Sequence, residues 1–117
     1  MNESTLVSLA KVVESLGLSV AACGEDLEKA VTGAQVCDLL SHVMAHGKSG
    51  QVWITIQTHP NIVAVGALAR LAGIILADGL EPGEDTIMRA EEEGLPLLTS
   101  SATAYTLAGQ LYNLGVR

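Results

Sequence analysis

Residues 51–100, QVWITIQTHPNIVAVGALARLAGIILADGLEPGEDTIMRAEEEGLPLLTS, alternate short apolar runs with longer stretches of helical spacing. Residues 51–56 are rich in β-branched side chains and predict a strand, with Trp53 packed on one face. Pro60 suits the first turn of a helix. Ile62, Val65, Leu68, Ala69 and Ala72 make that helix apolar nearly all round, so it is expected to be deeply buried, with Gly73 as its stop. Residues 74–77 then predict a strand, and Gly79, Pro82 and Gly83 mark residues 78–83 as a loop. Glu84 and Asp85 place negative charge in the first turn of a helix ending near Gly94, where the macrodipole favours it. Residues 95–99 give the next strand. Ser100 or Ser101 starts a last helix with Leu107, Leu111 and Leu114 on one face and Gly115 at its end. Strand and helix alternate three times over short connections, which predicts right-handed parallel crossovers. The expected fold is a three-layer α/β/α domain with a mostly parallel sheet of about four to five strands.

The first fifty residues are read outward from that frame. Ser4 caps a helix carrying Leu6, Leu9, Val13 and Leu16, stopped by Gly17, so a helix is expected before any strand. Residues 18–22 and 31–36 predict strands on either side of a polar turn. Asp38 is expected to cap a short helix running to Ala45, followed by a turn over residues 46–50. No linker, repeat or low-complexity segment interrupts the 117 residues, which suit one domain.

Only 3% of residues are aromatic against 49% hydrophobic, so the core must be built from Val, Leu, Ile and Ala, as helices on a buried parallel sheet require. A net charge of −7 repels phosphate backbones and anionic membranes, so neither nucleic acid nor a membrane is an expected partner. Residues 1–5 carry Glu3 and no basic segment, and no apolar run approaches the roughly 18 residues of a membrane span. A cytoplasmic protein with Cys23 and Cys37 as reduced thiols is expected.

Gly47-Lys48-Ser49 imitates the end of a phosphate-binding P-loop, but His42 stands where the motif needs its earlier glycine, and the string leads from a helix into a strand rather than the reverse. A polar turn is the expectation. His42 and His46 share a helix face at the spacing of a two-histidine metal site, without the intervening Glu or a third ligand, so no metal is expected. Glu91, Glu92 and Glu93 spread around a helix surface at about 100° per residue and read as a solvated face. Nucleophile-elbow, Cys-x-x-Cys and dinucleotide-binding glycine patterns do not occur.

What remains is the rule that ligands of open α/β sheets lie beyond the carboxyl ends of parallel strands. Three loops qualify there, with Gln57, Thr58, His59 and Asn61 in the first, Asp78 and Gly79 in the second, and Ser100 and Thr103 in the third. Their hydroxyls, amides and imidazole suit a small polar ligand, and helix N-termini near residues 60 and 102 favour an anionic group, which Asp78 and Glu81 oppose. The plainer reading is that these are ordinary capping and turn residues.

Val31-Thr32-Gly33 with Asp38-Leu39-Leu40, Val52-Trp53-Ile54-Thr55 with His59-Pro60-Asn61-Ile62, Ile74-Ile75-Leu76 with Gly79-Leu80-Glu81-Pro82, and Gly94-Leu95-Pro96-Leu97 together resemble the DRTGG family. That resemblance covers most of the chain. It implies a fold similar to the N-terminal domain of HPr kinase/phosphatase, and a regulatory or dimerising role like that of similar domains in phosphotransacetylase and CBS-domain pyrophosphatases. Stand-alone relatives beside iron-only hydrogenase genes imply a hydrogenase-associated or signalling protein as partner. The phosphoryl-transfer machinery of HPr kinase lies in a separate domain, so kinase activity is not implied. The chain departs from the family where relatives often show Thr-Gly-Gly and it has Ala77-Asp78-Gly79, and where they often show Asp-Thr-Phe and it has Ala102-Thr103-Ala104.

The leading expectation is a non-catalytic regulatory module, homodimeric, with no cofactor. The alternative is a sensor of a nucleotide or phosphorylated metabolite at the three loops. A third reading, an enzyme using His59 as general base near Asp78, needs His59 in a closed pocket.

Overall fold

The computed structural model describes residues 6–117. The chain runs β1 (Val7–Ser8), α1 (Leu9–Leu16), β2 (Ser19–Ala22), β3 (Ala30–Val31), β4 (Gly33–Val36), α2 (Leu40–His46), β5 (Gln51–Thr55), α3 (Asn61–Leu68), β6 (Gly73–Leu76), α4 (Glu84–Glu93), β7 (Leu97–Thr99) and α5 (Ala104–Leu114). Alternation along the strands decides the layering. Val52, Ile54, Ile75 and Leu98 belong to one core with Leu9 and Val12 of α1 and Leu107 and Leu111 of α5. Trp53, Ile74, Leu76 and Leu97 belong to the other, with Val43 of α2, Ile62 and Val65 of α3, and Ala90 of α4. The result is the expected three-layer α/β/α domain. Its five-stranded sheet has the order β2-β7-β6-β5-β4, parallel from β4 to β7. The edge strand β2 runs antiparallel to β7, with Ser19 opposite Thr99.

Several local expectations are corrected. A strand precedes the first helix: β1 pairs antiparallel with β3. The cap of α1 is Ser8, whose Oγ accepts the Lys11 N–H at 3.1 Å; Ser4 lies outside the described residues. The strand expected over residues 31–36 is two strands. Thr32 is the pivot, donating its N–H to the Gly50 carbonyl and its hydroxyl to the Ser49 carbonyl, both at 2.9 Å. Asp38 does not cap α2. Its Oδ1 accepts the Thr55 hydroxyl and the Ile56 N–H, each at 2.9 Å, and so clamps the end of β5.

The helix after Pro60 stops at Leu68, because Arg70 turns left-handed at φ 58°, and Gly73 opens β6 instead of ending that helix. Burial of α3 is correspondingly partial. Ile62, Val63, Val65 and Gly66 are buried, but Leu68 is 71% exposed. Thr103 rather than Ser100 or Ser101 caps α5, its Oγ1 accepting the Thr106 N–H at 3.2 Å. Among the described residues no helix is long and apolar enough to cross a membrane.

Candidate functional site

Where helices leave a parallel sheet on the same side, no crevice opens between their strands; one opens where successive connections go to opposite sides. Here α2, α3 and α4 share the Trp53 face, so the ends of β4, β5 and β6 are covered in the same way. The switch comes after β7, because α5 lies on the opposite face with α1. The crevice therefore belongs to the loops following β6 and β7.

Those loops are tied together. Asp78 and Gly79 both have left-handed φ, 63° and 71°, and the Ala77 carbonyl accepts the Leu80 N–H at 3.3 Å, closing a tight turn. The Asp78 and Gly79 N–H groups donate to the Ala102 and Ser100 carbonyls, each at 2.9 Å. Ser100 Oγ accepts the Ala102 N–H at 3.0 Å, which sets the path into α5. The antiparallel β2 then brings Ser19 alongside Thr99, Gly17 ends α1 at the same rim, and Gln110 reaches in from α5. Together with Glu81 and Ser101 these residues enclose a cavity of about 370 Å³.

Its chemistry is that of hydroxyls, one side-chain amide and one carboxylate, with no Lys or Arg among the described residues that line it. Such a surface exchanges hydrogen bonds with hydroxyl, amino and ring-nitrogen groups. It offers no charge to neutralise a phosphate.

Of the residues expected at a site, Gly79 and Ser100 line this cavity. Asp78 shapes the turn beside it, and Thr103 is occupied as a cap. Gln57, Thr58, His59 and Asn61 lie apart from it. Gln57 Nε2 donates to the Asp38 carbonyl at 3.3 Å, the Thr58 carbonyl accepts the buried Thr86 hydroxyl at 2.7 Å, and His59 Nδ1 accepts the Asn61 N–H at 3.0 Å. These are turn and capping roles, and His59 is exposed. The sequence did not place Gly17, Ser19 and Gln110 at a site, since nothing local says that β2 returns antiparallel to β7.

A larger cavity, about 440 Å³, opens at the other end of the sheet beside Lys29, Arg70 and Leu95. It is the poorer candidate. The C-terminal ends of α3 and α4 point there, backbone donors such as the Gly50, Leu71 and Leu95 N–H groups are already paired, and Lys29 Nζ lies 3.3 Å from the Gly94 carbonyl. His42 and His46 stack at 4.3 Å on the exposed surface of α2, and no cluster of three metal-ligating side chains occurs among the described residues. Cys23 and Cys37 are free. Burial, Glu91 and the neighbouring acids push the Cys23 thiol up to about 11, so it stays protonated. Glu91 is more than a solvated carboxylate: its Oε1 accepts the Cys23 N–H at 2.9 Å and ties α4 to the end of β2.

Residues 11–114 match the family model of the DRTGG domain. The chain belongs to the DRTGG domain family. Asp78 holds one of the two left-handed positions of the turn after β6, and aspartate tolerates that conformation better than most residues. Among solved structures this DRTGG domain is similar to the CBS and DRTGG domains of the regulatory region of Clostridium perfringens pyrophosphatase, a structure complexed with the activator diadenosine tetraphosphate. The TM-score is 0.76 at 16% identity, over 95% of this chain and 48% of that one, so the likeness is one of fold, and the domain spans about half of its neighbour. No curated protein matches the chain.

Proposed function

We propose that this DRTGG domain is a non-catalytic regulatory module that senses a nucleotide, with the nucleoside end of the ligand seated in the switch-point cavity. The observation that carries this reading is the cavity's lining. Ser19, Ser100, Ser101 and Gln110 surround a space at the lower end of the usual range for small-molecule sites, roughly 300–1,000 Å³. Ribose hydroxyls and base edges suit those groups, and Glu81 is an acceptor for a ribose diol. With no Lys or Arg among the described lining residues, and at a net charge of −7, the phosphates belong outside in solvent. The activator complexed with the pyrophosphatase regulatory region is a nucleotide with a nucleoside at each end, which agrees with this choice. The enzyme reading has less support, because His59 lies outside the cavity and its Nδ1 is engaged by the Asn61 N–H.

A thermal-shift panel of nucleosides, nucleotides, dinucleoside polyphosphates and inorganic phosphate tests this. A ligand at a hundred times its dissociation constant stabilises the native state by about 2.7 kcal/mol, enough to raise Tm by several degrees. The expected pattern is a shift with adenosine and its nucleotides, none with inorganic phosphate, loss of the shift in Ser101→Trp, which fills the cavity, and retention in His59→Ala. A shift abolished by His59→Ala and kept in Ser101→Trp would move the site to the loop after β5.

A further inference from the structure

The geometry points to a second ligand site, for a free α-amino acid in its zwitterionic form, in the cavity of about 440 Å³ at the end of the sheet opposite the switch-point cavity. It is independent of the nucleotide reading. Three observations carry it.

The first is charge held apart across a shared space. Lys29 and Arg70, two of the six basic residues of the chain, line this cavity together with Glu93. Opposite charges therefore face one volume without closing on each other. The described residues form a single ion pair, Arg89 to Glu93 at 3.7 Å, between exposed side chains on one helix. Among those residues neither Lys29 nor Arg70 has a carboxylate within 4.0 Å, although the chain carries thirteen acids.

The second observation is the backbone of Arg70. Its φ of 58° is a conformation in which glycine or asparagine is at ease and arginine is uncommon. The surrounding structure imposes it, because the Arg70 N–H donates to the Ala67 carbonyl at 3.1 Å and the Arg70 carbonyl accepts the Gly50 N–H at 3.0 Å. Glycine would make this turn with less strain. What arginine adds is a guanidinium group on the cavity wall.

The third is the sign of the remaining surface. The C-terminal ends of α3 and α4 point into the cavity, and the Gly50, Leu71 and Leu95 N–H groups are paired, which disfavours a plain anion. The same features favour an ammonium group. A ligand that carries a carboxylate and an ammonium on one carbon uses both kinds of surface. Its carboxylate suits Arg70, whose planar fork matches it bidentately. Its ammonium suits Glu93 and the carbonyl end of α4, where Lys29 Nζ, 3.3 Å from the Gly94 carbonyl, shows that a cation is held. Ala67, Leu71 and Leu95 supply an apolar wall for an aliphatic side chain.

Isothermal titration calorimetry and thermal shift of the full chain with the standard L-amino acids test this. Binding is expected from an aliphatic member such as L-leucine. None is expected from isocaproate, which lacks the amino group, from L-leucinamide, which lacks the carboxylate, or from inorganic phosphate. Arg70→Asn removes the guanidinium and keeps a residue that tolerates the left-handed turn, and Glu93→Gln removes the acid at an exposed position. Each is expected to weaken binding about tenfold or more. Lys11→Ala deletes an exposed cation on α1, outside the cavity lining, and leaves binding as it was. Urea unfolding without ligand checks that the variants fold, with Arg70→Asn at least as stable as the wild type. Neither heat nor a thermal shift from any amino acid overturns the inference. So does an affinity that survives both substitutions, or isocaproate or phosphate binding as tightly as the amino acid. None of these results alters the nucleotide shift expected of the switch-point cavity or its loss in Ser101→Trp.

Discussion

Replacing Trp53 with alanine is expected to remove about 3–5 kcal/mol of stability, a large part of the roughly 5–15 kcal/mol that holds a domain of this kind together. Trp53 is fully buried at the centre of the core under α2, α3 and α4 and is the largest side chain there. Its loss removes apolar contact and leaves a cavity that neighbours such as Val43 and Ile62 fill only in part. A second effect is polar. The indole N–H donates to the Cys37 carbonyl at 2.7 Å, and this bond anchors the segment leaving the edge strand β4. Trp53→Phe separates the two, since it keeps most of the bulk and deletes the donor. Its expected loss is about 1–3 kcal/mol, the desolvation penalty of an unpaired carbonyl. Urea unfolding followed by far-UV circular dichroism gives both values, with the midpoint falling at unchanged slope. A loss of about 0.5 kcal/mol for the alanine variant, the size of a surface change, would contradict this account of the core.

Gly50→Ala comes next in size, at about 2–4 kcal/mol, from two separate causes. The residue has φ +85°, a conformation that disfavours any Cβ by about 1–2 kcal/mol. That Cβ would also stand 2.7 Å from Thr32 Oγ1 and 2.9 Å from Thr32 Cγ2. Thr32 has little freedom to retreat, because its hydroxyl and N–H are both bonded to the segment containing Gly50. In a Thr32→Ala background the two closest contacts are removed and only the 3.3 Å approach to the residue 32 Cβ remains, so Gly50→Ala is expected to lose chiefly the backbone part, about 1–2 kcal/mol. A double-mutant cycle by urea unfolding measures the difference. Equal losses in both backgrounds would assign the whole effect to the backbone.

The half of the fold from β5 onward was legible because its signals are local. Each strand is a short apolar run, each connection is brief, and a parallel neighbour one crossover away is the geometric consequence. The first half was less so. Residues 31–36 form one β-branched stretch, yet at Thr32 the chain exchanges β1 for β5 as its partner, and no side-chain pattern announces a change of partner. Asp38 looked like a cap because it precedes a helix. Its carboxylate found the Thr55 hydroxyl and the Ile56 N–H instead, through a parallel register that joins residues distant in sequence.

The candidate site divides along the same line. Gly79 and Ser100 were reachable from the strand-end rule. The loop of Gln57, Thr58, His59 and Asn61 met that rule equally well, but α3 and α4 depart on one side and open no crevice there. Ser19 and Gln110 come from the other face and the far edge of the sheet, and only the tertiary fold makes them neighbours.

The antiparallel seam between β2 and β7 has a kinetic meaning. From β4 to β7 every strand lies beside the next one in the chain, so that part of the sheet can assemble by successive local steps. Ser19 reaches Thr99 only across about two thirds of the polypeptide, and closing so long a loop is the entropically slow event. Condensation of the sheet is therefore expected to end with β2, and the cavity walled by Ser19 and Ser100 comes into existence with that last step. A ligand held there would brace the strand that arrives latest.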